Sequence, residues 1–175
     1  MKILVATEKP FAKKAVDGIR QIVEGAGYEL ALLEKYTDKS ELLSAVADVD
    51  ALIIRSDKVT AEVIEAARNL KIVVRAGAGY DNVDLAAATA RGIVVMNTPG
   101  QNSNAVAELA LAMMIFMARN GFTPGTGSEI QGKTLGIHAY GNVGRLVGRK
   151  GRAMGMNVIA YDPVSYTHLT LPTKL

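Results

Sequence analysis

Residues 133–162 read KTLGIHAYGNVGRLVGRKGRAMGMNVIAYD, and their pattern sets the architecture of the second half of the chain. An apolar run enters a glycine-containing turn, a helical pattern follows, and a second apolar run ends on an acid. A glycine turn of this kind indicates dinucleotide binding only when it stands between a strand and a helix. The stretch meets that condition and predicts one β-α-β unit.

The residue types of this turn suit a pyrophosphate. Glycines let backbone amides approach the phosphates, and the N-terminus of a helix favours their negative charge. An acid at the end of the next strand accepts hydrogen bonds from the adenosine ribose, and an acid with no arginine directly behind it favours NAD over NADP. The alternative is an ordinary glycine-rich turn. The predicted cofactor-binding residues are Gly141, Asn142, Val143, Gly144 and Asp162.

One position departs from the glycine pattern. Ala139 stands where the first glycine is expected. Because a side chain with a Cβ fits such a turn without strain only at negative φ, we expect a negative φ at Ala139.

Residues 1–99 alternate short β-branched runs with helical patterns. This alternation predicts a doubly wound parallel sheet with helices on both faces. Asp38 and Thr60 stand at N-cap positions, and Asn82 and Asp84 are expected to cap the helix that follows them. The five predicted strands lie in KILVAT, YELALLEKY, ALIIRS, KIVVRAGAG and IVVMNT.

The composition changes after Pro99. A long helix from Ser103 to about Arg119 and a glycine-rich connector fill residues 100–132, and the β-α-β unit fills residues 133–163. Two parallel strands with one helix leave an open edge and an uncovered apolar face. We therefore expect residues 1–99 to fold as a domain of their own and the residues after the connector to stay loose or to aggregate.

The overall composition narrows the class of protein. The 175 residues are 49% hydrophobic and 21% charged, with a formal net charge of +3 and no cysteine. These values indicate a globular protein, exclude disulfides and thiolate metal sites, and favour a cytoplasmic location. The chain has neither a long basic run nor an apolar stretch of membrane-spanning length, so we expect no nucleic-acid or membrane partner. A small anionic substrate suits the charge, and no metal site is predicted.

Three stretches resemble the D-isomer-specific 2-hydroxyacid dehydrogenases: RAGAGYDNVDLAAATARGIVVMNTPGQNSNAVAELALAMM, GKTLGIHAYGNVGR and GMNVIAYDP. The resemblance covers Met1 to about Pro163. It implies a flavodoxin-like substrate domain followed by a Rossmann NAD-binding domain, of which this chain holds only the first β-α-β unit. It also implies NAD-dependent chemistry on a small 2-hydroxy acid, in a full-length protein that forms homodimers or homotetramers.

Within the family, the resemblance is greatest to members that oxidise 3-phospho-D-glycerate to 3-phosphooxypyruvate in serine biosynthesis. Reduction of glyoxylate or hydroxypyruvate, oxidation of D-lactate, and NAD sensing by a corepressor without activity are the alternatives. A signalling receiver domain is an alternative of another class. It would need clustered acids after the first strand, where the chain offers only Glu8, and its phosphate acceptor would be Asp57.

The resemblance also implies which residues bind the substrate. An arginine and a serine after the third strand match the ligands of the substrate's phosphate or distal end, because an arginine fork pairs well with an oxyanion. Backbone amides after the fourth strand match the carboxylate-binding loop, which Arg75 either joins or orients, and an asparagine precedes the long helix. The implied substrate-binding residues are Arg55, Ser56, Ala76, Gly77, Ala78 and Asn102, and Ala78 also borders the cofactor.

The reaction in this family uses a histidine as acid and base, a carboxylate that orients it and an arginine that holds the substrate. All three belong to the later part of the cofactor domain, and none has a counterpart in this chain. His138 is expected to be half-buried and hydrogen-bonded at the end of a strand. We therefore predict no catalytic residue and no turnover from this chain as written.

The last residues break the pattern. Val164 to Thr173 read VSYTHLTLPT, which is the translation of GTC TCT TAT ACA CAT CTG ACG CTG CCG ACG, a transposase-end adapter of sequencing libraries. We therefore predict that residues 164–175, with His168, are a non-native tail from adapter read-through.

Overall fold

The computed structural model describes residues 1–162. The predicted tail at 164–175 and the last residue of the predicted 133–163 segment lie outside the described residues. The chain divides into two compact units, Met1–Pro99 and a second unit that begins at Gly100. Both units are built on parallel strands, and the predicted α/β fold class is confirmed.

The first unit alternates strands and helices along the chain. All of its strands are parallel, and the chain runs outward to the second strand before it returns past the first to the third. The elements are β1 (Lys2–Thr7), α1 (Lys13–Gly25), β2 (Glu29–Glu34), α2 (Lys39–Ala45), β3 (Ala51–Ile54), α3 (Ala61–Ala66), β4 (Ile72–Arg75), α4 (Leu85–Ala90) and β5 (Val94–Asn97). Their order in the sheet is β2-β1-β3-β4-β5, the doubly wound order.

The central strands β1 and β3 carry the core of this unit. Leu4 in β1 and Leu52 and Ile54 in β3 are almost wholly removed from solvent. Strands in the middle of a parallel sheet are covered on both faces, which explains why ILVA in β1 and ALII in β3 are unbroken apolar runs. The buried centre of the sheet therefore supports the loops that follow these two strands.

The helix starts confirm some of the predicted caps and correct others. Asp38 accepts a hydrogen bond from the Ser40 amide and forms a capping box with Glu41, and Asp84 accepts one from the Ala87 amide at 2.9 Å. The prediction that Asn82 caps α4 was wrong, because its Nδ2 donates to the carbonyl oxygen of Asp57 at 2.7 Å. That bond ties two loops together instead of ending a helix.

Thr60 occupies the N-cap position of α3, as expected. Its side chain nevertheless makes no capping hydrogen bond, and its Oγ1 is buried without a partner among the described residues. The residue type therefore located the helix start correctly without supplying the bond that makes threonine favourable there.

The second unit has a long helix, a short 3₁₀ turn at Asn120–Phe122 and one β-α-β unit. Its two strands pair in parallel from Thr134 opposite Asn157 to His138 opposite Tyr161. The expectation that the residues after the connector stay loose was therefore wrong, since this pairing extends over both strands in full. The elements are α5 (Ser103–Ala118), β6 (Thr134–His138), α6 (Asn142–Ala153) and β7 (Asn157–Tyr161).

An uncovered apolar face is present in this unit, as expected from its few elements. Ile159 on β7 is 62% exposed, and Met113 and Phe116 on α5 are also exposed. None of the helices within residues 1–162 is long and apolar enough to cross a membrane. The exposed side chains are thus an apolar surface of the second unit.

Candidate substrate and cofactor sites

The carboxyl ends of β3 and β4 bring most of the predicted substrate ligands to one edge of the sheet. Ile54 and Arg75 are register partners at the ends of these neighbouring strands, so the segments that follow them emerge side by side. Arg55 and Ser56 are exposed, and residues 76–78 are half-buried. The carboxyl edge of an open parallel sheet is the usual place for a ligand in such folds.

The loop at residues 76–78 uses most of its backbone groups internally. The Ala76 amide donates to the carbonyl oxygen of Ile54, and the Gly77 amide donates to that of Arg75, both at 2.8 Å. Asn97 Nδ2 donates to the carbonyl oxygen of Ala78 at 2.7 Å. Of the three amides predicted to hold a carboxylate, only that of Ala78 donates to no described acceptor, so the structure narrows the prediction to this amide.

Arg75 lies in this loop in a way that the sequence did not indicate. Its guanidinium passes so close to Gly77 that a Cβ at residue 77 would stand 1.7 Å from Arg75 Nη1. Arg75 Nε is buried without a hydrogen-bond partner among residues 1–162. A buried guanidinium nitrogen that lacks an acceptor is a candidate donor to an anion, and Gly77 provides the space for it.

A polar cleft of about 470 Å³ adjoins Ser56 at the same edge of the sheet. It lies among the ends of β1, β2 and β3, where the winding direction of the sheet reverses and doubly wound folds bind ligands. Lys58 and Ser56 contribute donors, and Glu8 contributes a carboxylate. The lining residues are Glu8, Tyr36, Thr37, Lys39, Leu42, Ser56, Lys58 and Thr60.

Asp57 is buried behind this cleft with 3% exposure. It accepts hydrogen bonds from the Glu8 amide at 2.7 Å and the Tyr36 hydroxyl at 2.8 Å. Burial and the bond to Asp57 raise the pKa of Tyr36 well above its ordinary value. No group of three or more His, Cys, Asp or Glu residues that could hold a metal ion occurs within residues 1–162. A buried and bonded Asp57 does not match an exposed phosphate acceptor, so the geometry does not favour the receiver alternative.

The glycine turn of the second unit has the shape expected of a pyrophosphate cradle. Helix α6 begins at Asn142 after Gly141, and nothing lies within 4 Å of the position that a Cβ at Gly141 would take. A Cβ at Gly144 would stand 2.3 Å from the carbonyl oxygen of Ala139, so this glycine lets the helix pack directly on the turn. Open space at one glycine and close packing at the next are the roles that the fingerprint gives to its second and third glycines.

The first amides of α6 remain available. Asn142, Val143 and Gly144 donate their backbone N–H groups to no acceptor within the described residues. Unpaired amides at the start of a helix, together with the helix dipole, bind anions. The predicted cofactor residues of the turn therefore fit the phosphates of a dinucleotide.

The expectation of a negative φ at Ala139 was wrong. Ala139 has a φ of 76°, in the left-handed region that favours glycine. The turn needs this conformation at the first glycine position whichever residue stands there, so the alanine is held in a strained backbone conformation.

Asp162 directly follows β7 and accepts a hydrogen bond from the Tyr140 amide at 2.8 Å. The carboxylate thus lies beside the glycine turn, at the strand end where an acid meets the ribose in dinucleotide-binding units. Its position agrees with the spacing in the sequence, and its contact with the turn is an additional feature.

Two further residues singled out in the sequence, Asn102 and His138, are exposed. Asn102 is exposed at the N-cap position of α5, where its side chain makes no capping bond. The prediction for His138 was wrong. Its side chain is exposed, makes no hydrogen bond within the described residues and stacks loosely on Tyr161 with ring centroids 5.5 Å apart.

A known protein family matches this chain over most of its length. The profile of the family described as D-isomer specific 2-hydroxyacid dehydrogenase, catalytic domain, matches residues 4–172. The chain belongs to this family. Members of the D-isomer specific 2-hydroxyacid dehydrogenase family are oxidoreductases, and the predicted resemblance is confirmed.

Two curated members of the family illustrate the similarity. Hydroxypyruvate reductase of Thermotoga maritima is 43% identical over 77% of this chain and 49% of its own length. D-3-phosphoglycerate dehydrogenase of Archaeoglobus fulgidus is 42% identical over 93% of this chain and 32% of its own length. The chain therefore spans about half or less of the curated family members that it resembles.

A solved structure of the family extends the comparison to three dimensions. The crystal structure of cofactor (NAD⁺)-bound 3-phosphoglycerate dehydrogenase from Entamoeba histolytica has a TM-score of 0.91 and 50% sequence identity. The match covers 100% of this chain and 57% of the Entamoeba histolytica chain. The dehydrogenase family thus shares the fold of both units described above.

Proposed function

We propose that this chain supplies the substrate domain, residues 1–99, and the start of the cofactor domain of an NAD-dependent D-2-hydroxyacid dehydrogenase. The proposed reaction is the oxidation of 3-phospho-D-glycerate to 3-phosphooxypyruvate in serine biosynthesis. The observation that carries the proposal is the turn at Gly141 and Gly144, with its open space, free amides and adjacent Asp162. The identity to phosphoglycerate dehydrogenases supports the choice of substrate.

The substrate is held in this proposal by the loops after β3 and β4. Arg55 and Ser56 bind the phosphate, because a planar guanidinium forms paired charge-assisted bonds to such a group. The Ala78 amide and Arg75 bind the carboxylate, since each has a donor without an acceptor among the described residues. Asn102 remains a proposed substrate ligand on the strength of the resemblance alone.

The cofactor is held by the second unit. The backbone amides of Asn142, Val143 and Gly144 donate hydrogen bonds to the pyrophosphate. The carboxylate of Asp162 accepts hydrogen bonds from the ribose hydroxyls. The proposal that Ala78 borders the nicotinamide rests on the resemblance alone. When bound, NAD supplies the hydride acceptor of the reaction. The carboxylate of Asp162 would repel the 2′-phosphate of NADP, which accounts for a preference for NAD.

In this proposal the chain as given binds its ligands but does not catalyse the reaction. The proton on the substrate hydroxyl needs a base, and the family's histidine, its carboxylate and the substrate-holding arginine have no counterpart in these residues. General acid–base catalysis contributes about 10²–10⁴ in rate, so its loss removes measurable activity. Binding of cofactor and substrate is the property that remains to be tested on the chain.

Calorimetric titration of the 175-residue chain with NAD and with NADP tests the cofactor proposal. We expect NAD to bind more tightly, and we expect Asp162→Asn to lose most of that preference. Asp17→Asn is the matched control, because Asp17 is exposed on α1 and its side chain makes no hydrogen bond or ion pair within the described residues. Equal affinities for the two cofactors in the unaltered chain would contradict the assignment of Asp162.

A second candidate substrate is hydroxypyruvate, which the similarity to the Thermotoga maritima reductase favours. Assaying the gene extended through the family's full cofactor domain separates the candidates. We expect the highest kcat/KM with 3-phospho-D-glycerate and lower values with hydroxypyruvate, glyoxylate and D-lactate. NAD binding without turnover of any of them would favour a corepressor.

Assembly and location complete the proposal. The exposed apolar side chains of α5, among them Leu109, Met113 and Phe116, suit a homo-oligomeric interface in the full-length protein. A cytoplasmic location agrees with the absence of cysteine. Sedimentation of the full-length protein, with Phe116→Glu as the disruptive variant, tests the interface.

A further inference from the structure

Asp57 lies next in the chain to the proposed phosphate ligands, yet its environment is the opposite of theirs. Arg55 and Ser56 are exposed, whereas Asp57 is 3% exposed and makes no ion pair within residues 1–162. A buried carboxylate without a cation must be stabilised by hydrogen bonds. The hydrogen bonds that stabilise Asp57 therefore also fix the backbone of the two exposed residues directly before it.

Those donors come from the ends of three different strands. Asp57 Oδ1 accepts from the Glu8 amide after β1, at 2.7 Å, and from the Tyr36 hydroxyl after β2, at 2.8 Å. Asp57 Oδ2 accepts from the Arg55 amide after β3, at 3.3 Å. The backbone N–H of the proposed phosphate ligand is thus bound directly by this carboxylate.

A fourth bond fixes the other side of the same residue. The carbonyl oxygen of Asp57 accepts from Asn82 Nδ2, which belongs to the segment that leads into α4. Asp57 is consequently held through its side chain and its backbone at once. A turn fixed at both of these points has little freedom to move the residues directly before it.

We propose that Asp57 is a positioning residue for the anion-binding pair Arg55 and Ser56, held by the Glu8 amide and the Tyr36 hydroxyl. The proposal rests on the proposed function for the part that concerns substrate binding. The carboxylate fixes the backbone from which both side chains reach the substrate, and it touches no substrate itself. Misplacement of a binding group by about 1 Å is enough to weaken its effect strongly.

Two variants test the proposal and one serves as control. Asp57→Asn keeps the size of the side chain but replaces one acceptor oxygen by a donor, and Tyr36→Phe removes one donor to Oδ1 alone. Asp50→Asn is the matched control. Asp50 directly precedes β3, at the end of the strand opposite to Asp57, and its carboxylate accepts a hydrogen bond from the Lys2 amide at 2.9 Å. All three alter a hydrogen bond between segments at the ends of different strands, but only the first two affect the Arg55 turn.

Amide hydrogen exchange of the 175-residue chain gives a measurement that needs no ligand. In Asp57→Asn we expect faster exchange at the Arg55 amide and the Glu8 amide, while the amides of β5 keep their rates. Asp50→Asn should leave the Arg55 and Glu8 amides unchanged. Unchanged exchange at Arg55 in Asp57→Asn would overturn the proposal, whatever the chain binds.

NMR titration with 3-phospho-D-glycerate gives the second measurement. We expect Asp57→Asn to weaken affinity about tenfold or more and Tyr36→Phe to weaken it less, with Asp50→Asn close to the unaltered chain. Arg55→Ala tests the proposed function separately. If Arg55→Ala abolishes binding while Asp57→Asn leaves it unchanged, the positioning role is wrong and the ligand assignment stands. If Arg55→Ala has no effect, the ligand assignment fails and the exchange experiment alone decides the positioning role.

Discussion

Helix α6 packs on the carbonyl oxygen of Ala139 through Gly144, where an added Cβ would stand only 2.3 Å from that oxygen. The contact joins the start of the helix to the strand end that precedes it. It therefore fixes the direction in which the free amides of Asn142 and Val143 point. This contact makes Gly144 more sensitive to substitution than the other glycines near the turn.

Replacing Gly144 by alanine should destabilise the second unit. The new Cβ meets backbone, which cannot rotate away, so we expect a loss of about 1–3 kcal/mol in the free energy of unfolding and weaker NAD binding. Denaturant unfolding and calorimetry measure the two effects. Gly136→Ala is the control, because nothing lies within 4 Å of its Cβ position. Equal stability of the two variants would show that α6 does not pack on the turn as described.

Replacing Ala139 by glycine should stabilise the protein. Ala139 has a φ of 76°, and an L-residue there carries a strain of about 1–2 kcal/mol, part of which glycine loses again through the entropy of the unfolded chain. We expect a net gain of up to about 1 kcal/mol, seen as a higher urea midpoint. Ala153→Gly, at the exposed end of α6, should instead lower the midpoint.

Replacing Gly77 by alanine should displace the Arg75 guanidinium. The new Cβ would stand 1.7 Å from Arg75 Nη1, and a long side chain can move aside at small cost in stability. We therefore expect nearly unchanged unfolding but weaker binding of 3-phospho-D-glycerate in NMR titration. The control is Gly18→Ala, which meets nothing within 4 Å and should leave binding unaltered. Full affinity in Gly77→Ala would exclude Arg75 as a ligand.

Stability at low pH should depend on Asp50. The bond from Lys71 and the bond from the Lys2 amide lower the pKa of this carboxyl from its ordinary 3.8. A lowered pKa in the folded state means that the stabilising contribution is present above pH 3.8 and is lost as the pH falls below it. Thermal unfolding across this range should show a smaller decline in Asp50→Asn than in the unaltered chain. Asp17→Asn should decline as the unaltered chain does.

Stability at high pH should depend on Tyr36. Burial, and then the bond to Asp57, raise the pKa of this phenol above its ordinary 10.0. The folded state favours the neutral phenol, so its contribution is fully present below pH 10.0 and is lost as the pH rises above that value. Absorbance of tyrosinate should rise together with alkaline unfolding, and Tyr36→Phe should unfold with a shallower dependence on pH. Ionisation of every tyrosine in the folded chain near pH 10.0 would contradict this prediction.

Local signals in the sequence predicted much of this architecture. The alternation of strands and helices, the capping box at Asp38 and the place of Asp162 depend on residues close together in the chain. The long helix, predicted from Ser103 to about Arg119, ends at Ala118. Such features follow from short-range geometry, so reading residues in order is enough to find them.

Other features depend on residues that only folding brings together. The bonds of Asp57 join three strand ends, and Arg75 reaches over Gly77 because the loop after β4 turns back on itself. The side-chain amide of Asn82 binds the carbonyl oxygen of Asp57, which is 25 residues away, so local signals point to a helix cap instead. The expectation of a negative φ at Ala139 follows the preference of alanine, whereas the turn places this residue at a φ of 76°.

The amino-acid sequence alone thus specified the family, the alternation of strands and helices and the dinucleotide turn of this protein, since each is encoded in contiguous residues of fixed spacing. Only the tertiary structure shows which backbone amides lack an acceptor among the described residues, which carboxylate binds the Arg55 amide and which residue has a strained φ. Hydrogen-bond acceptors, burial and steric contact are properties of neighbours in space, and distant segments become neighbours only in the folded chain.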